Sequence, residues 1–402
     1  MAVTVIGIDG GPLPEGAAEV LNSAELIVGA PPHLRVHAPE GVRTVELGSF
    51  GPALSALSAL TAEETGVVLA SGDPGFFGAV RALRDKGVRC TVLPALSSVQ
   101  RLLAGMGRSW EDASVVSARI GGLHRALNIC RARSTVVVLT GGDTGPAQLA
   151  SGLRGWRRTM IVGEDLGGEH ERVTTIDPDE AAERNWFEPN IVCCVDDPDA
   201  VPGRSWHSGG EPTPPERWAL PEDEFSHREG TVTTSEVRAL ALARLAPRPG
   251  SLVWDVGAGS GSVAVECARM GAACVAVESD EAQVVRLVSN AAAHGVDVRV
   301  EEGAAPAVLR GLAKPDSVFV GIDDAEVLTA CAHAGARRVV LASHTLDRIA
   351  ANRDVLRNAG YHVEGVQLFA NRMVTSEEDV SGLAAGEPVV LLSAELPNGD
   401  AV

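Results

Sequence analysis

The stretch Leu252-Val-Trp-Asp-Val-Gly-Ala-Gly-Ser-Gly-Ser-Val-Ala-Val-Glu266 constrains this chain more than any other. It reads as a buried strand over 252–256, a turn built on Gly257, Gly259 and Gly261, and a helix from Ser262 to Met270. Glycines there let the backbone approach a ligand closely, and the first amides of the new helix point at it. A dinucleotide fingerprint after a strand reads G-x-G-x-x-G. Here the third glycine comes one residue early, with Asp255 just before the turn. A second acidic residue, Glu278, ends the next apolar run, Cys274-Val-Ala-Val. A carboxylate at that point can accept hydrogen bonds from both hydroxyls of a ribose.

The G-x-G-x-G spacing and its partner carboxylate belong with S-adenosylmethionine (SAM) rather than with a nicotinamide dinucleotide. The turn lies past the midpoint of 402 residues, a length that predicts two or three domains, each with its own core. Residues 196–221 hold six of the 23 prolines and no sustained apolar period, which marks a linker. The expected division is 1–197, a linker over 198–220, and 221–402.

Composition excludes several classes. A net charge of −19 argues against nucleic acid, which wants a basic surface. No apolar stretch reaches membrane-spanning length. The opening Met-Ala-Val-Thr-Val-Ile-Gly has no basic region followed by an apolar run, so no signal peptide is expected. The seven cysteines are scattered without a C-x-x-C pair, as buried thiols of a reducing cytoplasm would be, and no metal site is expected. All but two of the 34 basic residues are arginine, whose planar fork suits carboxylates.

Both halves alternate strands and helices. In the C-terminal half a helix is expected over 235–246, from Val237, Leu240, Ala241 and Leu245. Strands follow at 252–256, 273–278, 297–301, 317–321 and 338–342, and the runs from Val363 and Val389 form a closing pair. In the N-terminal half, strands are expected at 3–8, 26–28, 67–70, 90–93, 136–139, 159–162 and 191–195. Three loops there place small residues and hydroxyls where a strand ends: Gly7-Ile-Asp-Gly-Gly-Pro12, Ser71-Gly-Asp-Pro-Gly-Phe-Phe-Gly78 and Pro94-Ala-Leu-Ser-Ser-Val99.

Those loops, with Ala24-Glu-Leu-Ile-Val-Gly29, Leu139-Thr-Gly-Gly-Asp143 and Val162-Gly-Glu-Asp-Leu166, make the N-terminal unit resemble the tetrapyrrole methylase family. The C-terminal unit resembles the decarboxylating precorrin methyltransferases, through Pro221-Glu-Asp-Glu-Phe225, Glu236-Val-Arg-Ala-Leu240, the run from Pro249 to Ser262, and Gln367. The resemblance implies an α/β chain. A two-subdomain tetrapyrrole methylase fold would precede a Rossmann-like class I methyltransferase with a seven-stranded sheet. It further implies a precorrin substrate of cobalamin biosynthesis and one SAM site in each unit. The N-terminal unit would methylate C5. The C-terminal unit would methylate C15 and remove the C12 acetate as carbon dioxide, taking precorrin-6B to precorrin-8. A homo-oligomer is implied as well.

Matched position by position, Gly257, Ala258, Gly259, Ser260 and Gly261 line the methionine end of SAM, and Asp255 orders the turn. Glu278 holds the ribose, Thr233 meets the cofactor, and Ala304 contacts the adenine. In the N-terminal unit Gly72, Asp73, Ser97 and Ser98 are the expected cofactor contacts. Phe76 and Phe77 could shape the pocket wall there, although packing in the core suits them better. His227, His344, Asp323 and Asp324 are candidates by loop position for the proton handling of decarboxylation, although solvated or capping roles suit them better. Arg101, Arg108, Arg119, Arg228, Arg238 and Arg372 are candidates to clamp substrate carboxylates. Three positions depart from the family pattern: Asp9-Gly-Gly in the first loop, Thr234 where a lysine is common, and Gly321-Ile-Asp-Asp324 in place of a glycine-rich run. A nicotinamide oxidoreductase is opposed by the glycine spacing. A non-catalytic carrier of corrin intermediates is opposed by Glu278 and by the two sets of loops.

Overall fold

The computed structural model describes residues 2–47, 50–200, 215–228, 232–375 and 381–397. Residues 201–214, most of the expected linker, lie outside the described residues. The N-terminal unit holds two five-stranded sheets. The first contains β1 (Ala2–Ile8), β2 (Leu26–Gly29), β3 (Arg43–Glu46), β4 (Thr65–Ser71) and β5 (Cys90–Leu93), in the order β3-β2-β4-β1-β5 with every pair parallel. The second contains β6 (Ser114–Ser117), β7 (Thr135–Leu139), β8 (Thr159–Glu164), β9 (Arg172–Ile176) and β10 (Asn190–Val195), in the order β6-β7-β10-β8-β9. β6 and β7 run parallel, and the other pairs are antiparallel. The seven strands expected from sequence are all present. β3, β6 and β9 were not expected. Each is an edge strand with mostly half-buried or exposed side chains, so none carries the continuous apolar run of an interior strand.

The C-terminal unit is a seven-stranded sheet. β11 (Leu252–Val256), β12 (Ala273–Glu278), β13 (Arg299–Glu302), β14 (Ser317–Val320) and β15 (Arg338–Ser343) are joined by β16 (His362–Leu368). Its other strands are β17 (Asn371–Thr375), β18 (Ser381–Ala385) and β19 (Val389–Glu395), of which β17 and β18 pair separately as a ribbon. The sheet order is β13-β12-β11-β14-β15-β19-β16, with only β19 antiparallel to its neighbours. β11 is buried at every position, as a strand covered by helices on both faces must be. Strand order reverses between β11 and β14, so the crevice forms at the carboxyl ends of these two strands. The closing strand pair was expected. The ribbon between its members was not, because its ten residues are all exposed and carry no burial pattern.

The two units do not keep separate cores. Trp156, from the segment before β8, is only 7% exposed and belongs to the apolar cluster of Leu252, Ala273, Val275 and Leu309 in the C-terminal unit. The Arg131 and Arg299 guanidinium carbons lie 5.3 and 5.7 Å from its ring centre, within cation–π range. Around it, Arg158 donates to Asp297 (2.8 Å) and Asn128 to the carbonyl of Gly250 (3.1 Å). His124 Nε2 lies 3.1 Å from Asp316 Oδ2, and Arg299 donates to the carbonyl of Arg154 (3.3 Å). A buried tryptophan truncated to alanine usually loses about 3–5 kcal/mol. Trp156→Ala is therefore expected to lower stability by about that much and to split unfolding into two transitions. Calorimetry checks this, and an unchanged single transition would refute it.

Candidate functional sites at the strand ends

The turn after β11 has left-handed backbone at Gly257, Gly259 and Gly261 (φ 74°, 55° and 75°). At Gly257 a side chain would also run into Ile322, and at Gly261 its Cβ would sit 2.5 Å from Leu287 Cγ. Two carboxylates hold the turn. Glu278 Oε2 accepts from the Gly259 amide (2.7 Å), and its Oε1 accepts from the amides of Ser279 and Asp280 (2.8 and 2.9 Å). Asp255, 1% exposed, accepts from the Ala264 amide through Oδ2 (2.9 Å), while its buried Oδ1 has no partner. Burial pushes the Asp255 carboxyl up to about 7; the Ala264 amide works against this and the Glu278 charge adds to it. A cradle that admits no side chain and a buried carboxylate oxygen without a partner fit the cationic, ribose-bearing SAM. Gly303 donates to the Glu278 carbonyl (2.8 Å), which brings the exposed Ala304 beside this edge.

The segment before the helix Ser235–Leu245 is tied to the same turn. Asn290 donates to the carbonyls of Ser260 (2.8 Å) and Ser226 (2.9 Å) and accepts from the Ser226 amide (2.7 Å). His227, next in the chain, is half-buried with Nδ1 2.8 Å from the Phe225 carbonyl oxygen. Thr233 is half-buried, and its carbonyl accepts from Arg238 (2.5 Å). Arg238 is not a substrate clamp. It is fully buried against Glu266 (3.3 Å), which also accepts from the Leu220 amide (2.7 Å). Leu220, read from sequence as linker, is therefore anchored to the C-terminal unit. Asn290 and the Arg238–Glu266 pair escaped the sequence reading because polar residues on inner helix faces look like surface positions until their partners are known.

The other candidates separate. Asp324 caps the helix Ala325–His333, accepting from the amides of Glu326 and Val327 (2.9 and 3.0 Å). Asp323 accepts from Ser343 (2.6 Å) and Asn352 (2.8 Å). Both carboxylates are thus turned toward protein donors. His344 is exposed at the end of β15. Arg372, on β17, pairs with Glu222 (2.6 Å) and Glu236 (3.0 Å), holding the ribbon to the start of the helix Ser235–Leu245. The hydrogen bonds from Arg372, against the opposing effect of burial, hold the Glu222 carboxyl down at about 2. A cavity of about 150 Å³ lies beneath this ribbon, lined by Thr234, Val237, Leu368 and Arg372 among others.

In the N-terminal unit the three loops converge. Gly72 donates to the Ile8 carbonyl (2.7 Å), and a Cβ on Gly7 would lie 2.6 Å from Gly72 O and 2.7 Å from Ala95 N. Asp73 folds its loop by accepting from the Gly75 amide (2.8 Å). Ser97 caps the helix Ser98–Gly105 and exchanges hydrogen bonds with Gln100, so its side chain is already engaged; Ser98 is half-buried beside it. The Asp9 departure now has a role. Asp9 accepts from the amides of Gly11 (3.0 Å) and Leu96 (3.2 Å) and pairs with Arg101 (3.1 Å). Burial opposes its charge, yet the Gly11 amide, Arg101 and the Leu96 amide together hold its carboxyl below the ordinary value. Gly10 packs on Gly167, after β8, which brings the carboxyl ends of both sheets to one cleft. His33, which the sequence reading missed, lies there with Nε2 2.8 Å from Ser71 Oγ.

Phe76 and Phe77 correct an expectation. They are 38% and 49% exposed and pack edge to face on each other at 5.0 Å instead of entering the core. Arg108 is held by Thr135, Asp112 and the Ala200 carbonyl. Arg101, Arg108, Leu96 and Trp110 help line a second cavity of about 460 Å³. Arg119 is exposed beside Gly141.

Comparison with known proteins matches both halves. The Tetrapyrrole (Corrin/Porphyrin) Methylases model matches residues 6–182, and the Precorrin methyltransferase domain model matches residues 223–391. A precorrin-6Y C(5,15)-methyltransferase (decarboxylating) from Mycobacterium tuberculosis (strain CDC 1551 / Oshkosh) is 35% identical over 70% of this chain and 70% of its own length. One of the same description from Sinorhizobium sp is 36% identical over 63% of this chain, and the match spans only 61% of that relative. The cobalt-precorrin-7 C(5)-methyltransferase of Salmonella typhimurium is 30% identical over 48% of this chain and 99% of its own length.

Fold and both family matches define a SAM-using methyltransferase chain built of a tetrapyrrole methylase unit and a precorrin methyltransferase unit. The chain belongs to the precorrin-6Y C5,15-methyltransferase (decarboxylating) family of cobalamin biosynthesis.

The Asp255 carboxyl gives a pH test. Its folded-state pKa of about 7 stands above the ordinary 3.8, so between these values the folded chain keeps a proton that the unfolded chain has lost. The Asp255 contribution to stability then falls as pH rises from about 4 to 7 and levels off above that range, a loss on the order of 4 kcal/mol. Asp255→Asn is expected to flatten this decline in urea midpoints measured across pH. Parallel curves for the two proteins would refute the assignment.

Proposed function

We propose that the N-terminal unit methylates C5 of a precorrin, and that the C-terminal unit methylates C15 and decarboxylates the C12 acetate, with one SAM bound in each unit. The overall conversion is precorrin-6B to precorrin-8, carried out in the cytoplasm by a homo-oligomer. The observation that carries this reading is the Glu278 carboxylate bonded across the glycine turn to the Gly259 amide, at the carboxyl edge of the sheet. Three of the roughly four lone-pair positions of Glu278 are used, which leaves room for a ribose hydroxyl. The Asp255 Oδ1 atom faces the amino end of the cofactor, the Gly257–Gly261 backbone lines its methionine part, Ala304 meets the adenine, and Thr233 closes the near side. In the N-terminal unit Gly72, Asp73, Ser97 and Ser98 line the equivalent site, chiefly through backbone atoms.

SAM supplies an electrophilic methyl group: a carbon–carbon bond forms on the ring, the methyl–sulfur bond breaks toward a neutral thioether, and the ring charge is relieved by loss of a proton. The protein's share is alignment, which can be worth up to about 7–11 kcal/mol. In the decarboxylation the electron pair of the breaking bond passes into a protonated ring nitrogen, and a proton then returns to the side-chain carbon. His227, half-buried and linked through Ser226 and Asn290 to the cofactor turn, is the residue best placed to carry that proton.

Removing a charge-assisted acceptor is worth about 1.5–3 kcal/mol. Glu278→Ala is expected to weaken SAM binding in the C-terminal unit by roughly tenfold to a hundredfold. It should abolish C15 methylation and carbon dioxide release at low SAM while C5 methylation persists. Equilibrium dialysis, labelled carbon dioxide and product mass check this. Loss of both methylations together would defeat the division of labour.

A further inference from the structure

The two units meet through one particular edge of each sheet. On the C-terminal side the contacts come from Gly250 before β11, Gly271 before β12, Asp297 and Arg299 at the start of β13, and Asp316 before β14. These are the amino ends of four adjacent parallel strands, β13, β12, β11 and β14. On the N-terminal side the contacts come from the helix Leu123–Ala132, Arg133 before β7, and Arg154 to Arg158 before β8. These too are amino ends, since β7 and β8 both run antiparallel to β10 and so share one direction.

Both candidate sites lie at the opposite, carboxyl ends. The SAM turn follows β11, and Glu278 ends β12. The N-terminal cleft is built from residues after β1, β4 and β5, closed by Gly167 after β8. The units are therefore docked back to back, with their sites facing away from each other. Each sheet puts one strand length, about 17 Å, between the dock and its site. The space between is core: Trp156 fills the middle, and Arg158 is buried with its guanidinium on the carbonyls of Cys130 and Arg131 and on Asp297.

We infer that the singly processed tetrapyrrole, a free polycarboxylate, leaves this chain into solvent after the first unit has acted and is captured anew by the second. The inference rests on the proposal that the units catalyse successive reactions.

The test uses the full chain and two full-length variants, Gly72→Val and Gly259→Val. Each puts a β-branched residue at a left-handed position (φ 66° and 55°) in one site only. Single-variant products show whether each unit does one methylation, and the reaction each variant keeps shows that it is folded. The intact chain and an equal mixture of the variants are then followed by product mass at a series of protein concentrations. Release predicts a lag in doubly processed product that lengthens about tenfold for each tenfold dilution, alike in both samples. A dilution-independent lag in the intact chain alone would mean transfer within the chain and overturn the inference. A dilution-independent lag in both samples would mean hand-off between copies and overturn it equally. If the single variants do not divide the two methylations, the division of labour falls. The dilution series on the intact chain still reads release of the intermediate.

Discussion

Burial of Trp156 in the core of the other unit is the contact on which the shape of this chain depends. A tryptophan ring seated among Leu252, Ala273 and Val275, with a guanidinium near it from each unit, cannot be exposed without leaving apolar surface on both sides wet. The dock joins the amino ends of β7 and β8 to the amino ends of β11, β12, β13 and β14. Backbone turns and helix starts that can hold a ligand gather at the carboxyl ends of parallel strands, while the amino ends carry short connections from preceding helices. Joining the units there leaves the loops after β11 and β12, and those after β1, β4 and β5, outside the dock.

The charges follow the same economy. Arginines that look from sequence like a store of carboxylate clamps are largely committed to the protein itself. Arg238 is buried against Glu266, Arg158 reaches Asp297 across the dock, Arg372 pins the ribbon to Glu222, and Arg101 holds Asp9. Removing one partner of a buried pair such as Arg238–Glu266 leaves the other charge unpaired in the interior, a loss of about 3–5 kcal/mol. That pair also ties the Leu220 amide to the helix after the cofactor turn. The end of the linker, the helix Ser235–Leu245 and the turn thus form one braced assembly.

The parts legible in the sequence are those with a local cause. Interior strands such as β11 and β12 announce themselves as unbroken apolar runs, and the glycine turn announces itself by spacing. The edge strands β3, β6 and β9 and the exposed ribbon have no such pattern, because half of each is solvent or another surface. Long-range partners were the least legible. Nothing near Asn290 in sequence points to Ser226 or Ser260, and nothing near Asp9 points to Leu96 and Arg101. The exposed Phe76 and Phe77 mislead in the other direction: apolar residues suggest a core, but here a left-handed Phe77 (φ 51°) turns the loop outward.

The two carboxylates of the glycine turn are held differently. Glu278 is met by three backbone amides. Asp255, one strand away, is met by a single amide and otherwise enclosed, so burial dominates and its proton is held to about pH 7. Enclosing Asp255 lowers the stability of the empty turn, and a positively charged ligand beside Oδ1 would relieve that penalty.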